Sequence, residues 1–261
     1  MRTGNPALNA TTFENFGVYR RGEVGVAASD GMTILGTVHK TLFLLALAVG
    51  SACFTWSRTA AVAEAGPGAG IGAAAGWVVG GALVALVAGL VICFKHTWSP
   101  ILAPVYAIAE GLLLGGVSAS FEARYPGIVV QAVGCTFGTL FCLLLAYRSG
   151  MIRATDNLKL GIVAATGGIA LLYLVTFVAG LFGFTLFSAL YGSGLIGVGF
   201  SVVVVAIAAL NLVLDFDFIE QAAERGAPKY LEWYGAFALM VTLVWLYMEI
   251  LRLLAKLNDR R

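Results

Sequence analysis

The residues of this chain best suited to chemistry are two carboxylates, Asp215 and Asp217, in the stretch Asn211–Phe218, which reads NLVLDFDF. They stand where a long apolar run, Gly194–Leu214, comes to its end. A carboxylate in or beside hydrocarbon is expensive, so acids at that depth are rare and mark proton or ion chemistry by default. Helical spacing separates the two. Residues two apart point to nearly opposite faces, whereas residues three or four apart share one. Asn211, Asp215, Phe218 and Ala222 make one stripe, polar and then apolar, while Asp217 shares its face with Glu220, Gln221 and Glu224. The pattern casts Asp215 as a buried, titrating acid with Asn211 beside it, and Asp217 as a solvated auxiliary. The plainer alternative is that both acids mark the interface where a helix leaves the membrane.

Three further charges lie at membrane depth. Glu110 falls near the middle of the run Ser99–Gly116, where no other residue can neutralise it. It must carry a proton or find a cation on another helix. Lys40 is the candidate cation, with snorkelling to the headgroups as its alternative. Glu249 has Arg252 three residues on, a spacing that a local helical pair would explain. It is also seven residues from Thr242, so both could lie on an inward stripe facing the acids of the preceding helix. The only histidines, His39 and His96, lie near run ends, and no metal-ligand, nucleotide-loop or hydrolase constellation is present. These residues suit proton and ion chemistry without a cofactor or a dedicated metal site, and the chain is not read as an enzyme.

The elements that must position these groups are membrane helices. Of 261 residues, 60% are hydrophobic and 11% are charged, against about a quarter charged in soluble domains. The apolar segments are continuous rather than alternating, which points to helices and not barrel strands. Seven runs are long enough to span: Ile34–Trp56, Ala73–Phe94, Ile101–Phe121, Ile128–Tyr147, Leu158–Phe182, Gly194–Ala222 and Tyr234–Leu254. The expected fold is an all-α integral membrane bundle of seven helices, one domain over residues 32–257. A polar N-terminal tail (1–31), lacking the apolar core of a leader, and a short C-terminal tail (258–261) flank it.

Smaller features fill in that picture. The Gly/Ala/Pro-rich stretch Gly66–Gly72 reads as a flexible connector. Gly80-Gly81-Ala82 and the stripe Gly111, Gly115, Ser118 suit close helix packing in lipid. Cys53, Cys93, Cys135 and Cys142 read as small buried packing residues, and Cys135 and Cys142 are too far apart for a disulfide. Trp56, Tyr147, Trp233 and Tyr234 at run ends read as interfacial anchors. A cytoplasmic N-terminus puts most Lys and Arg of the short loops on one side, which satisfies the positive-inside rule. Seven spans conflict with it only by leaving Arg252, Lys256, Arg260 and Arg261 outside, unless the last segment re-enters. A net charge of +2 gives no footprint for nucleic acid.

Taken in order, TVHKT (Thr37–Thr41), SPILAPVYAIAEGLLLGGVSASFE (Ser99–Glu122), YPGIVVQAVGCTFGT (Tyr125–Thr139), LDFDFIEQ (Leu214–Gln221) and LYMEILRLLAKL (Leu246–Leu257) resemble the Bax inhibitor / YccA family, in its bacterial branch. The resemblance runs from about Met32 to Leu254. It implies a fold in which the last helix is central, and a pH-sensitive Ca²⁺ leak across a bacterial inner membrane. It further implies a proton-sensing acid pair: one at the end of the sixth helix, falling on Asp215 or Asp217, and one in the seventh, falling on Glu249. Glutamate stands there in place of the family's aspartate, which changes the reach of the carboxylate.

The expected function is therefore a cation leak channel gated by protonation of Asp215, Glu249, Asp217 and Glu110, with Lys40, Asn211 and Arg252 as supporting partners. Ca²⁺ would be a transported ion, bound in passing at Asp215 and Glu249. The alternative is a non-conducting regulator that binds other membrane proteins, such as a protease or a stress component. A secondary transporter would call for internal repeats, and the two halves of the chain do not match. The lipid bilayer is the expected environment, and a monomer the favoured state.

Overall fold

Seven long helices carry the chain: α1 Ile34–Ala63, α2 Ala69–Phe94, α3 Ser99–Arg124, α4 Ile128–Arg148, α5 Asp156–Leu181, α6 Leu195–Glu224 and α7 Leu231–Asn258. A 3₁₀ turn, His96–Trp98, precedes α3, and a single helical turn, Ser188–Tyr191, precedes α6. The computed structural model describes residues 31–63, 69–152, 154–184 and 188–260. The polar tail expected over 1–31 lies outside them apart from Gly31. So do residues 66–68 of the connector expected over Gly66–Gly72, whereas Ala69–Gly72 forms the first turn of α2 rather than a flexible loop.

All seven helices are long and apolar enough to cross a membrane, and the protein is a multi-pass membrane protein. The last of them, α7, is the most buried, with 56% of its apolar stretch enclosed. It is one unbroken helix of 28 residues, about 42 Å at 1.5 Å per residue, long enough to cross a hydrocarbon core in a single pass. Several helices run past the expected ends. Thus α7 begins at Leu231, before the expected Tyr234, and takes Glu232 into its first turn.

The helix ends follow local chemistry. Pro sits at the start of α3, where a missing amide hydrogen costs nothing. Thr155 caps α5, its hydroxyl accepting from the Leu158 amide. α6 ends in a paired closure: the Ala227 amide bonds the Ala222 carbonyl and the Gly226 amide bonds the Ala223 carbonyl. Gly226 supplies the positive φ, 66°, which that turn needs.

Two compact units divide the chain. The first comprises α1, α2, α3 and Phe218–Met240. Its packing rests on glycines. A Cβ at Gly111 would lie 2.2 Å from the Ala48 carbonyl oxygen, one at Gly115 2.2 Å from that of Ala52, and one at Gly81 2.6 Å from that of Ala109. Backbone meets backbone there, as the small-residue stripes foretold, while Gly80 faces open space. The second unit comprises Gly127–Asp217 and the chain from Val241 onward. It holds α4, α5, most of α6 and the C-terminal part of α7.

Two expectations about side chains are corrected. Cys53, Cys135 and Cys142 are exposed and Cys93 is only half-buried, all as free thiols. In lipid the outer face of a helix is as apolar as the inner one, so an apolar neighbourhood does not imply burial. Tyr234 is not an interfacial anchor. It is fully buried, its ring edge-on to His96 at 4.8 Å and tilted against Phe237.

Candidate functional site: a polar line through apolar helices

In the second unit, polar side chains recur every seven residues, two helical turns, on two helices. On α5 they are Lys159, Thr166 and Tyr173; on α7 they are Thr242, Glu249 and Lys256. A seven-residue repeat keeps a nearly constant face. Each of these residues meets a partner, and most of the partners are on α6.

Asp215 is 1% exposed, and the Thr242 hydroxyl donates to its Oδ2 at 2.6 Å. Burial on the stripe Asn211, Asp215, Phe218 and Ala222 is as the spacing foretold, since all four are enclosed. The Asn211 amide nitrogen donates to the Thr166 hydroxyl at 2.8 Å and to the Ile207 carbonyl. Asp217 is not simply a wetted neighbour. Lys159 donates to its Oδ2 at 2.5 Å, and both side chains are mostly enclosed. The face it was expected to share is partly open, with Glu224 exposed.

Glu249 is 2% exposed and is held from two sides. Arg252 donates to both of its carboxylate oxygens, at 2.9 and 3.1 Å, and the Tyr173 hydroxyl donates to Oε1 at 3.0 Å. Arg252 also donates to the Tyr173 oxygen. The three residues form a closed triangle, so the local helical pair holds, and the buried Glu249 carboxylate faces Tyr173 of α5. Glu249 stands two turns along α7 from Thr242, the residue that holds Asp215.

Lys256 ends the line. It is 6% exposed, and its ammonium donates to the Leu190 carbonyl at 2.7 Å, the Gly197 carbonyl at 3.0 Å and the Ser201 hydroxyl at 2.9 Å. From Gly197 to Asp217 the line follows α6 for about 30 Å at 1.5 Å per residue, the thickness of a hydrocarbon core. Polar groups can persist at such depth only when their hydrogen bonds are made within the protein. Every side chain of this line makes at least one such bond, and at Asp215 it is Oδ2 that takes it, with no hydrogen bond at the buried Oδ1 among the described residues.

The first unit holds the remaining candidates, and it separates two that the sequence had paired. Lys40 does not reach Glu110. Its ammonium bonds Glu232 at the start of α7 and lies 5.5 Å over the Trp233 ring. Glu232 is 1% exposed and also accepts from the Thr33 amide and hydroxyl, both at 2.9 Å. Nearby, the Met32 amide bonds the Ala227 carbonyl, and Gly31 bridges Pro228. Glu110 is buried on α3, where Tyr106, one turn earlier, shares a hydrogen bond with it. A buried acid at such depth needs a bond of this kind.

Sequence reasoning missed Glu232, Lys159, Tyr173 and Lys256. Glu232 hides in the charged connector KYLEW, where an acid reads as interfacial. The other three carried a usable signal, the seven-residue recurrence of polar groups within runs that are otherwise apolar.

A family model described as Bax inhibitor 1 like matches residues 5–259, nearly the whole chain. No match was found among curated proteins or among solved structures.

Proposed function

This chain belongs to the Bax inhibitor 1-like family, and on that premise we propose that it is a proton-regulated cation leak channel, with Ca²⁺ the ion. The observation that carries the reading is Asp215: a carboxylate 1% exposed, in the middle of a helix pair, bonded to a neutral hydroxyl. Gaining or losing its proton changes the charge of the line by one unit where the dielectric is low, and such a change biases which packing the helices prefer. Hard cations take oxygen ligands, and a deprotonated Asp215 offers them. Glu249, two turns along α7 from the Thr242 that holds Asp215, adds a second carboxylate whose charge Arg252 balances.

The reading makes the protein a channel and not an enzyme, with no resident cofactor. It places the chain in a bacterial inner membrane with the N-terminus cytoplasmic, as the distribution of Lys and Arg in the loops favours. Ca²⁺ flux into proteoliposomes is the test, with wild type, Asp215→Asn and Glu249→Gln compared across a range of external pH. A changed pH response in Asp215→Asn is expected. Identical flux and pH response in all three proteins would remove the acids from gating.

A further inference from the structure

We infer that the three oxygens around Lys256 form a seat for a monovalent cation, and that the Lys256 ammonium is a tethered occupant that closes one end of the polar line. The seat comes from two segments: the Leu190 carbonyl from the turn before α6, and, from α6 itself, the Gly197 carbonyl in its first turn and the Ser201 hydroxyl one turn further on. The three N···O distances, 2.7, 3.0 and 2.9 Å, place the nitrogen at the focus of the oxygens. Lys256 reaches this point from the last turn of α7.

The chemistry of the seat sets its ligand class. All three oxygens are neutral. Ca²⁺ sites include carboxylates among their oxygens, and none of the three oxygens here is charged. Backbone carbonyls replacing a hydration shell are how proteins hold K⁺, and an ammonium makes the same kind of contact through its three donors. The fitting class is therefore K⁺, Rb⁺ or a primary alkylammonium. Lys256 is the last of these kinds, attached to the chain.

Position gives the seat its consequence. It lies at the Leu195 end of α6, with Glu249 and Arg252 next along α7 and Asp215 and Asp217 at the other end of the line. A fixed positive charge there repels any cation entering from that end. Its action as a plug rests on the conduction proposed above; the seat itself does not.

The experiment uses the full chain in proteoliposomes. Rb⁺ and Ca²⁺ uptake are measured for wild type, Lys256→Ala and Lys256→Gln, with butylammonium or choline added. We expect Lys256→Ala to raise Rb⁺ uptake several-fold. Butylammonium, which can refill the seat, should return it toward the wild-type level, and choline, which has no N–H, should not. Lys256→Gln, which keeps hydrogen-bond donors but no charge, should fall between. In detergent, thermal unfolding of both variants should recover with butylammonium and not with choline, a readout that needs no conduction. Folded variants with wild-type Rb⁺ uptake overturn the plug. A leak that admits Ca²⁺ equally and ignores butylammonium, or unfolding that ignores it, overturns the seat. Should Asp215→Asn and Glu249→Gln leave Ca²⁺ flux untouched while Lys256→Ala opens to Rb⁺, the acid-gating reading falls and the seat stands.

Discussion

The Thr242 hydroxyl donates to Asp215 Oδ2 at 2.6 Å, joining α7 to α6 at a point where both side chains are buried. A carboxylate placed so deep keeps its position only because a donor stands opposite it. The relationship can be tested without any assay of transport.

Thr242→Val keeps the shape of the side chain and removes the donor, leaving a buried polar acid with one bond fewer. The expected loss is about 1–3 kcal/mol. Introduced into Asp215→Leu, the same change should cost little, because both partners are then apolar. Thermal unfolding in detergent over the double-mutant cycle measures the coupling, expected at about 1 kcal/mol or more. Additive effects would break the link.

Lys40 and Glu232 make an asymmetric pair, with side chains 18% and 2% exposed. Lys40→Met strands the carboxylate, which should cost about 3 kcal/mol or more. Glu232→Gln leaves a lysine that can turn toward water, so it should cost less. Adding Glu232→Gln to Lys40→Met should restore stability, since the amide oxygen can still accept from Thr33. Unfolding midpoints for the three proteins decide it, and a double variant worse than Lys40→Met would contradict it.

The glycines divide by what a methyl would meet. Gly111→Ala and Gly115→Ala drive a carbon into the backbone of α1, and each should cost about 1–3 kcal/mol through forced separation of the helices. Gly80→Ala and Gly134→Ala meet nothing within 4 Å. They should be neutral or slightly stabilising, because alanine is the better helix former by about 1 kcal/mol. Expression level and melting temperature of the four variants report the contrast.

A spanning α7 puts the two chain ends on opposite sides of the membrane. Cysteines introduced at Thr3 and Asn258, in a variant without the four native ones, should label with a membrane-impermeant maleimide from opposite faces of sealed vesicles. Labelling from one face would mean that α7 re-enters.

Much of this protein is legible without coordinates. Length and unbroken hydrophobicity determine seven spans, because hydrocarbon admits only helices with satisfied backbones. Three- and four-residue spacing separates Asp215 from Asp217, since helical geometry is local. The Gly111 and Gly115 stripe announces close packing for the same reason. Pairing across helices was decided elsewhere. Lys40 could have met Glu110 or water, yet it meets Glu232, some 190 residues away in sequence. Glu249 keeps its neighbour Arg252 but gains Tyr173 from α5. Whether Cys53 or Tyr234 faces inward was equally undetermined, because lipid and protein interior are nearly the same solvent to an apolar side chain. Spacing along one helix is a property of the chain. Which helix stands opposite is a property of the packed bundle, where each buried polar atom must find its partner, and only the tertiary structure assigns it.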